Sequence, residues 1–334
     1  MPTGTMSQPE TRATEPSARP ALRHFIRLAR PHQWVKGAFV AVGPAYAFAT
    51  GTRLGWASVL GVAGAVLAFG LAASSCYVVN DIRDREADRL HPRKRHRPIA
   101  SGAVSVSAAG AFAVVLLIGA CLACLLTVVG QRAAPATGPV GHPLWLGVTV
   151  LVYVLNTNLY SVRFKHEVVL DVISLAAGFV LRVLGGCAAA GVAPSAWLLN
   201  VTFFVSMFLA FGKRLGERRT MGEAAAGARG VQAAYTDELL RMSVVVTGVA
   251  TLVTYAGYVQ AQAAKYEVGF NALWLTMLPA TYGLLRCIVV LERGVYDDPT
   301  ELAWRDRPFQ AAVVLFGALT VGVMVWAARG GVGA

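Results

Sequence analysis

Asn80, Asp81, Asp84 and Asp88 stand together at the end of a long apolar stretch. At helical spacing Asn80, Asp84 and Asp88 recur every fourth residue and share one face, with Asp81 beside them. Carboxylates stacked in this way repel unless positive charge is supplied. A hard divalent cation prefers carboxylate and amide oxygen, and magnesium is commonly held by one or two carboxylates together with water and substrate phosphates. Mg2+ is therefore the expected cofactor, with Asn80, Asp81, Asp84 and Asp88 as its ligands. The bases just downstream, among them Lys94, Arg95 and Arg97, are placed to meet those phosphates. The six histidines form no metal-ligand spacing and carry no expected catalytic role.

The elements that must hold these groups are membrane helices. Of the 334 residues 56% are hydrophobic and 14% charged, against about 25% charged in an ordinary soluble protein. Nine apolar runs approach the roughly 20 residues that cross a bilayer: 35 to 53, 56 to 79, 105 to 129, 143 to 160, 168 to 190, 195 to 212, 241 to 263, 270 to 291 and 309 to 328. The expected fold is an all-α, polytopic membrane protein of about nine transmembrane helices. The second and fifth runs are rich in Gly, Ala and Ser, which allow close helix packing.

With the amino terminus inside, only Arg53, Arg132, Lys265 and Arg329 of the 30 basic residues fall in far-side loops, and Arg182 lies within a span. That asymmetry puts the basic loops in the cytoplasm, so the expected location is the plasma membrane with the polar site facing inward. Much of the formal net charge of +12 is then topology. No nucleic-acid module accompanies it, and no nucleic-acid partner is expected. Residues 1–22, rich in Pro, Thr, Ser and Ala, read as a disordered cytoplasmic tail without a secretory signal, ahead of a single transmembrane catalytic domain over 23–334. The odd number of cysteines, all in or beside apolar runs, points to neither metal nor redox use.

Other polar residues of the cytoplasmic loops are candidates for the same cavity. At the start of the first run Trp34 and Lys36 read as interfacial anchors, or Lys36 as a phosphate ligand at the depth where the acidic helix begins. Tyr160 and Lys165 leave the fourth run, and Asp171 follows. Arg182, flanked by Gly178, Gly185 and Gly186, is costly at its depth unless it faces a wet cavity or a partner. Pairing with Asp171 three helical turns away is disfavoured by distance, so Arg182 is expected to face the cavity. Lys213 and Arg214 open the loop after the sixth run as a second dock for anionic groups. Asp297, Asp298 and Glu301 crowd the last cytoplasmic loop, where a solvated loop, a lid or a second metal contact would account for them.

The pattern NDxxDxxxD followed by RPIASG, in a chain with nine apolar runs, resembles the UbiA superfamily of intramembrane prenyltransferases. RPHQWVK, YSVRFKHEVVLDV, the Arg182-bearing run and FGKR narrow the resemblance to its decaprenyl-phosphate phosphoribosyltransferase branch. Gly37 departs from the Asn expected there. The resemblance implies a UbiA-like bundle around a cytoplasm-facing cavity. It implies phosphoribosyl transfer from phosphoribosyl pyrophosphate to a polyprenyl phosphate, for cell-wall arabinan precursors. The implied catalytic residues are Asp81, Asp84, Asp88 and Lys165. Lys36, Lys94, Arg95, Arg97, Tyr160, Lys165, Asp171, Arg182, Lys213 and Arg214 are the implied substrate contacts. Related enzymes that join prenyl diphosphates to aromatic acceptors carry a second aspartate motif after the sixth span, where this chain has Lys213, Arg214, Arg218 and Arg219. A prenyltransferase with an aromatic or haem acceptor is the alternative. Assembly into a homo-oligomer is left open.

Overall fold

A computed structural model describes residues 22–92, 94–131, 142, 144–221, 234–293 and 302–328. The expected disordered tail apart from Leu22, which opens α1, the loop 222–233, the acids Asp297, Asp298 and Glu301, and the carboxyl terminus lie outside them. Among the described residues the regular structure is helical, with one isolated bridge between Glu267 and Asn271. The α-helices are α1 Leu22–Ala29, α2 Ala38–Ala49, α3 Trp56–Arg83, α4 Arg85–Leu90, α5 Val106–Gln131 and α6 Leu144–Val162. They continue as α7 Leu170–Ala190, α8 Ala196–Met221, α9 Asp237–Ala261, α10 Met277–Glu292, α11 Leu302–Arg305 and α12 Arg307–Ala328.

Among the described residues eight segments are long and apolar enough to cross a membrane: α3, α5, α6, α7, α8, α9, Ala272–Glu292 and α12. They coincide with eight of the nine runs, and the chain is an integral membrane protein. The first run differs. It begins as a 3-10 turn, Pro31–Gly37, and only then becomes the short α2. Proline at the head of the turn and Gly37 at its end suit a tighter, non-α backbone here. The turn runs down the side of α3: Ser74 donates to the Ala29 carbonyl at 2.6 Å, Trp34 donates to Ser74 at 3.0 Å, and Gly37 faces Val66.

Small residues set the centre of the bundle. α3 and α7 are the most buried of the long helices and α12 the least. Gly186 of α7 lies so close to α2 that a Cβ there would fall 1.7 Å from the Val40 carbonyl oxygen, and one on Gly43 would fall 2.2 Å from Cys187 Sγ. Only glycine permits that crossing. Around it Val40, Ala68, Phe69, Ala72, Leu146, Tyr153 and Ala189 form one core. A second core joins Phe208, Phe211 and Leu215 of α8 to Leu240 and Val244 of α9 and Leu291 of α10.

Candidate active site

The acidic helix breaks at its chemically important residues. α3 ends at Arg83, and Asp84, at φ −84° and ψ 4°, joins it to α4. The four-residue step is kept, since the Asp84 N–H donates to the Asn80 carbonyl at 2.9 Å and the Asp88 N–H to the Asp84 carbonyl at 2.8 Å. The expected stack nevertheless divides into two pairs. Asn80 Nδ2 donates to Asp84 Oδ2 at 3.0 Å. Asp81 and Asp88 share Arg97, whose Nη1 donates to Asp81 Oδ1 at 2.9 Å and Asp88 Oδ2 at 2.7 Å.

Two further cations reach this end of α3. Arg30 Nη2 donates to both oxygens of Asp81, at 2.6 and 2.9 Å, and its guanidinium lies over the Tyr77 ring. Lys165 Nζ donates to Asp84 Oδ1 at 3.2 Å. The repulsion expected from the sequence is thus cancelled by three of the protein's own bases. Asp81 and Asp88 are 3% exposed, a degree of burial that charges tolerate only when paired. The Asp84 side chain, 33% exposed, is the open member. On the outer face of α4, hydrogen bonds from Arg85 and then Arg89 hold the Glu86 carboxyl below its ordinary pKa.

Among the described residues no group of three His, Cys, Asp or Glu could hold a metal unaided. The donors present still suit magnesium. They are hard oxygens, few in number and already split into pairs, so an ion held by one or two of them would complete its shell with water and phosphate.

Arg30 was not singled out by the sequence pattern. It is the residue before Pro31 and takes the left-handed conformation, φ 50° and ψ 58°. Such a backbone costs on the order of 1–3 kcal/mol in a non-glycine residue and is sustained by its surroundings. The available signal was an arginine at the chain's entry into the membrane, directly ahead of the Pro31 turn.

Asp171 and Arg214, expected as substrate contacts, are turned toward each other. Asp171 is fully buried and Arg214 2% exposed, and they pair at 2.5 Å. Tyr235 donates to Asp171 Oδ1 at 2.6 Å, and the Val172 N–H donates to the same oxygen at 2.8 Å. Burial first, and then this bond to Asp171, pushes the Tyr235 phenol well above its ordinary pKa. Arg218 and Arg219, beside the expected second dock, are engaged as well: Arg218 donates to Asp237 at 2.7 Å and to the Tyr235 carbonyl at 2.9 Å, and Arg219 to Glu292 at 3.2 Å. This cluster ties α7, α8, α9 and α10 together.

Arg182 is enclosed rather than facing an open cavity. It is 6% exposed, donates to the Tyr153 hydroxyl at 2.7 Å and the Gly178 carbonyl at 3.1 Å, and lies 4.4 Å from the Tyr153 ring centre. Phe69 and Phe179 complete the aromatic surround. As the sequence indicated, its partner is not Asp171. Lys36 is deeper than expected. Its neighbours Trp34 and Gly37 meet α3 at Gly70 and Val66, about 16 Å or more along the helix from Asp81, and Trp34 packs against α3. Lys94, Tyr160 and Lys213 are half-buried, and Arg95 is exposed.

The UbiA prenyltransferase family profile matches residues 38–293. The chain is 33% identical over 315 residues to a decaprenyl-phosphate phosphoribosyltransferase of Mycolicibacterium smegmatis, covering 90% of this chain and 92% of the relative. It is also 33% identical over 288 residues to the enzyme of that name from Corynebacterium glutamicum, covering 86% and 82%. Its fold is similar to that of a UbiA homolog from Archaeoglobus fulgidus bound to DMAPP and Mg2+, with a TM-score of 0.61, 20% identity and coverage of 90% and 99%.

Proposed function

This chain belongs to the UbiA prenyltransferase family, and from that premise we propose that it transfers 5-phosphoribosyl from phosphoribosyl pyrophosphate to a polyprenyl phosphate. The observation that carries the proposal is the likeness, over nearly the whole chain, to two phosphoribosyltransferases that act on decaprenyl phosphate. In the reaction the C1–O bond to pyrophosphate breaks and the leaving group takes the electron pair. An oxygen of the lipid phosphate then supplies the pair for the new C1–O bond. The acceptor is already an anion, so no general base is required.

Asn80, Asp81, Asp84 and Asp88 would hold magnesium, which supplies neutralisation of the diphosphate charge. Arg30, Arg97 and Lys165 complete the arrangement. Each now rests on a carboxylate, and each can turn to a phosphate oxygen when a cation takes its place. Positive donors fixed beside a departing anion stabilise charge that develops only as the bond breaks. The site faces the cytoplasm of a plasma membrane, where phosphoribosyl pyrophosphate is available, and the product serves arabinan precursor synthesis for the cell wall.

The test incubates purified protein with magnesium, labelled phosphoribosyl pyrophosphate and polyprenyl phosphate, beside a parallel reaction of prenyl diphosphate with an aromatic acid. Labelled lipid in the first alone is expected. Product only in the second would replace this reading with that of an aromatic prenyltransferase.

A further inference from the structure

Val169 is the second non-glycine residue with a positive φ among those described. At φ 71° and ψ −45° it occupies a region close to the strained γ-turn, and for a β-branched side chain such a backbone is a true outlier. Its side chain does not explain the strain, being 37% exposed. Its backbone does have a partner: the Val169 N–H donates to the Tyr235 hydroxyl oxygen at 2.8 Å, while that hydroxyl donates to Asp171. Tyr235 is 1% exposed. It is fixed in turn by Arg218 on its carbonyl and by an edge contact with Phe211.

Val169 also ends the turn that carries Lys165. That short 3-10 turn, Phe164–His166, leads through Glu167 and Val168 to Val169, where α7 begins. Lys165 reaches Asp84 from this turn. The direction in which the turn leaves α7 is set by the Val169 backbone, so holding that backbone holds Lys165.

We infer that Tyr235, fixed by Asp171 and Arg214, is a positioning residue for Lys165: it clamps Val169 in its strained conformation and so aims the lysine at Asp84 from the other half of the bundle. The inference deepens the function proposed above, since it rests on Lys165 acting at the diphosphate site. It also gives the buried Asp171–Arg214 pair a task in place of substrate contact.

The test reads Lys165 directly, by its rate of modification with an amine-acylating reagent in the purified full-length protein. Peptide mass spectrometry quantifies it, with Lys265 at the opposite end of the bundle as internal reference. Tyr235→Phe should raise Lys165 modification about fivefold, the scale of one lost hydrogen bond, and raise the KM for phosphoribosyl pyrophosphate more than it lowers kcat. Glycine adopts positive φ without strain. The double variant Tyr235→Phe, Val169→Gly should therefore regain most of the protection, which a role in stability alone would not produce.

Lys165 reactivity unchanged in Tyr235→Phe would overturn the clamp. So would equal reactivity in the single and double variants at matched melting temperature. Wild-type protein with a protected Lys165 but no phosphoribosyl transfer would overturn the proposed function and not the clamp, because the labelling needs no substrate.

Discussion

At the scale of single residues, the acids and their cations make separable contributions. Asp84 is the most open of the three aspartates, and among the described residues its side chain is met by an amide and a lysine. Asp84→Asn should lower kcat/KM for phosphoribosyl pyrophosphate by about tenfold or more through weaker metal and phosphate binding, with the melting temperature little changed. Full activity at limiting magnesium would remove Asp84 from the site. Arg214→Ala should behave differently. It leaves Asp171 buried without its cation, a loss of about 3–5 kcal/mol, so thermal stability should fall with no selective rise in the KM for polyprenyl phosphate. A selective rise in the KM for polyprenyl phosphate, at wild-type stability, would restore Arg214 to the acceptor site. The acids were legible in the sequence because their spacing has few other uses. Their neutralising partners were legible only in part: Arg97 and Lys165 stand in recognisable motifs, whereas the roles of Arg30 and Tyr235 depend on tertiary approach across 51 and 64 residues. Arg182 was correctly read as needing an environment, but aromatic rings satisfy a guanidinium as water does, and spacing does not distinguish the two.

At the scale of elements, eight of the membrane helices follow directly from hydrophobic length. The first run was not legible as a break, because a 3-10 turn and an α-helix share an apolar composition. Pro31 just ahead of it, and Gly37 and Pro44 within it, were the local hints. The α2–α7 crossing depends on Gly186 in a way that composition foreshadowed and geometry makes specific. Gly186→Ala should cost about 1–3 kcal/mol by overpacking, visible as a lower melting temperature in detergent. The same change at Gly110, where a Cβ would meet nothing within 4 Å, should be neutral. Equal behaviour of the two variants would mean that α2 can move aside freely. At the other end of the bundle Arg286 holds Asp306 with two hydrogen bonds, at 3.1 and 2.8 Å. Asp306 in turn accepts from the Phe309 N–H at 2.9 Å, capping α12. Those bonds, led by Arg286, keep the Asp306 carboxyl below its ordinary pKa.

At the scale of the whole molecule, Ser101 follows the basic run at the acidic end of α3, and Glu267 lies beyond α9 with Lys265, which donates to the Thr50 carbonyl after α2. Both are exposed. In intact cells a membrane-impermeant thiol reagent should label Glu267→Cys and spare Ser101→Cys. The reverse pattern would invert the orientation argued from the basic loops. The self-neutralised acidic end has a thermodynamic corollary. A divalent ion arriving alone must displace a guanidinium or ammonium and strand it, and a diphosphate arriving alone must strand a carboxylate. Arriving together, each supplies the partner that the other displaces. Ion and diphosphate should therefore bind synergistically, and by linkage each should tighten the other's binding by the same factor. Titration calorimetry should show weak heats for either ligand by itself and a much tighter isotherm for one in the presence of the other.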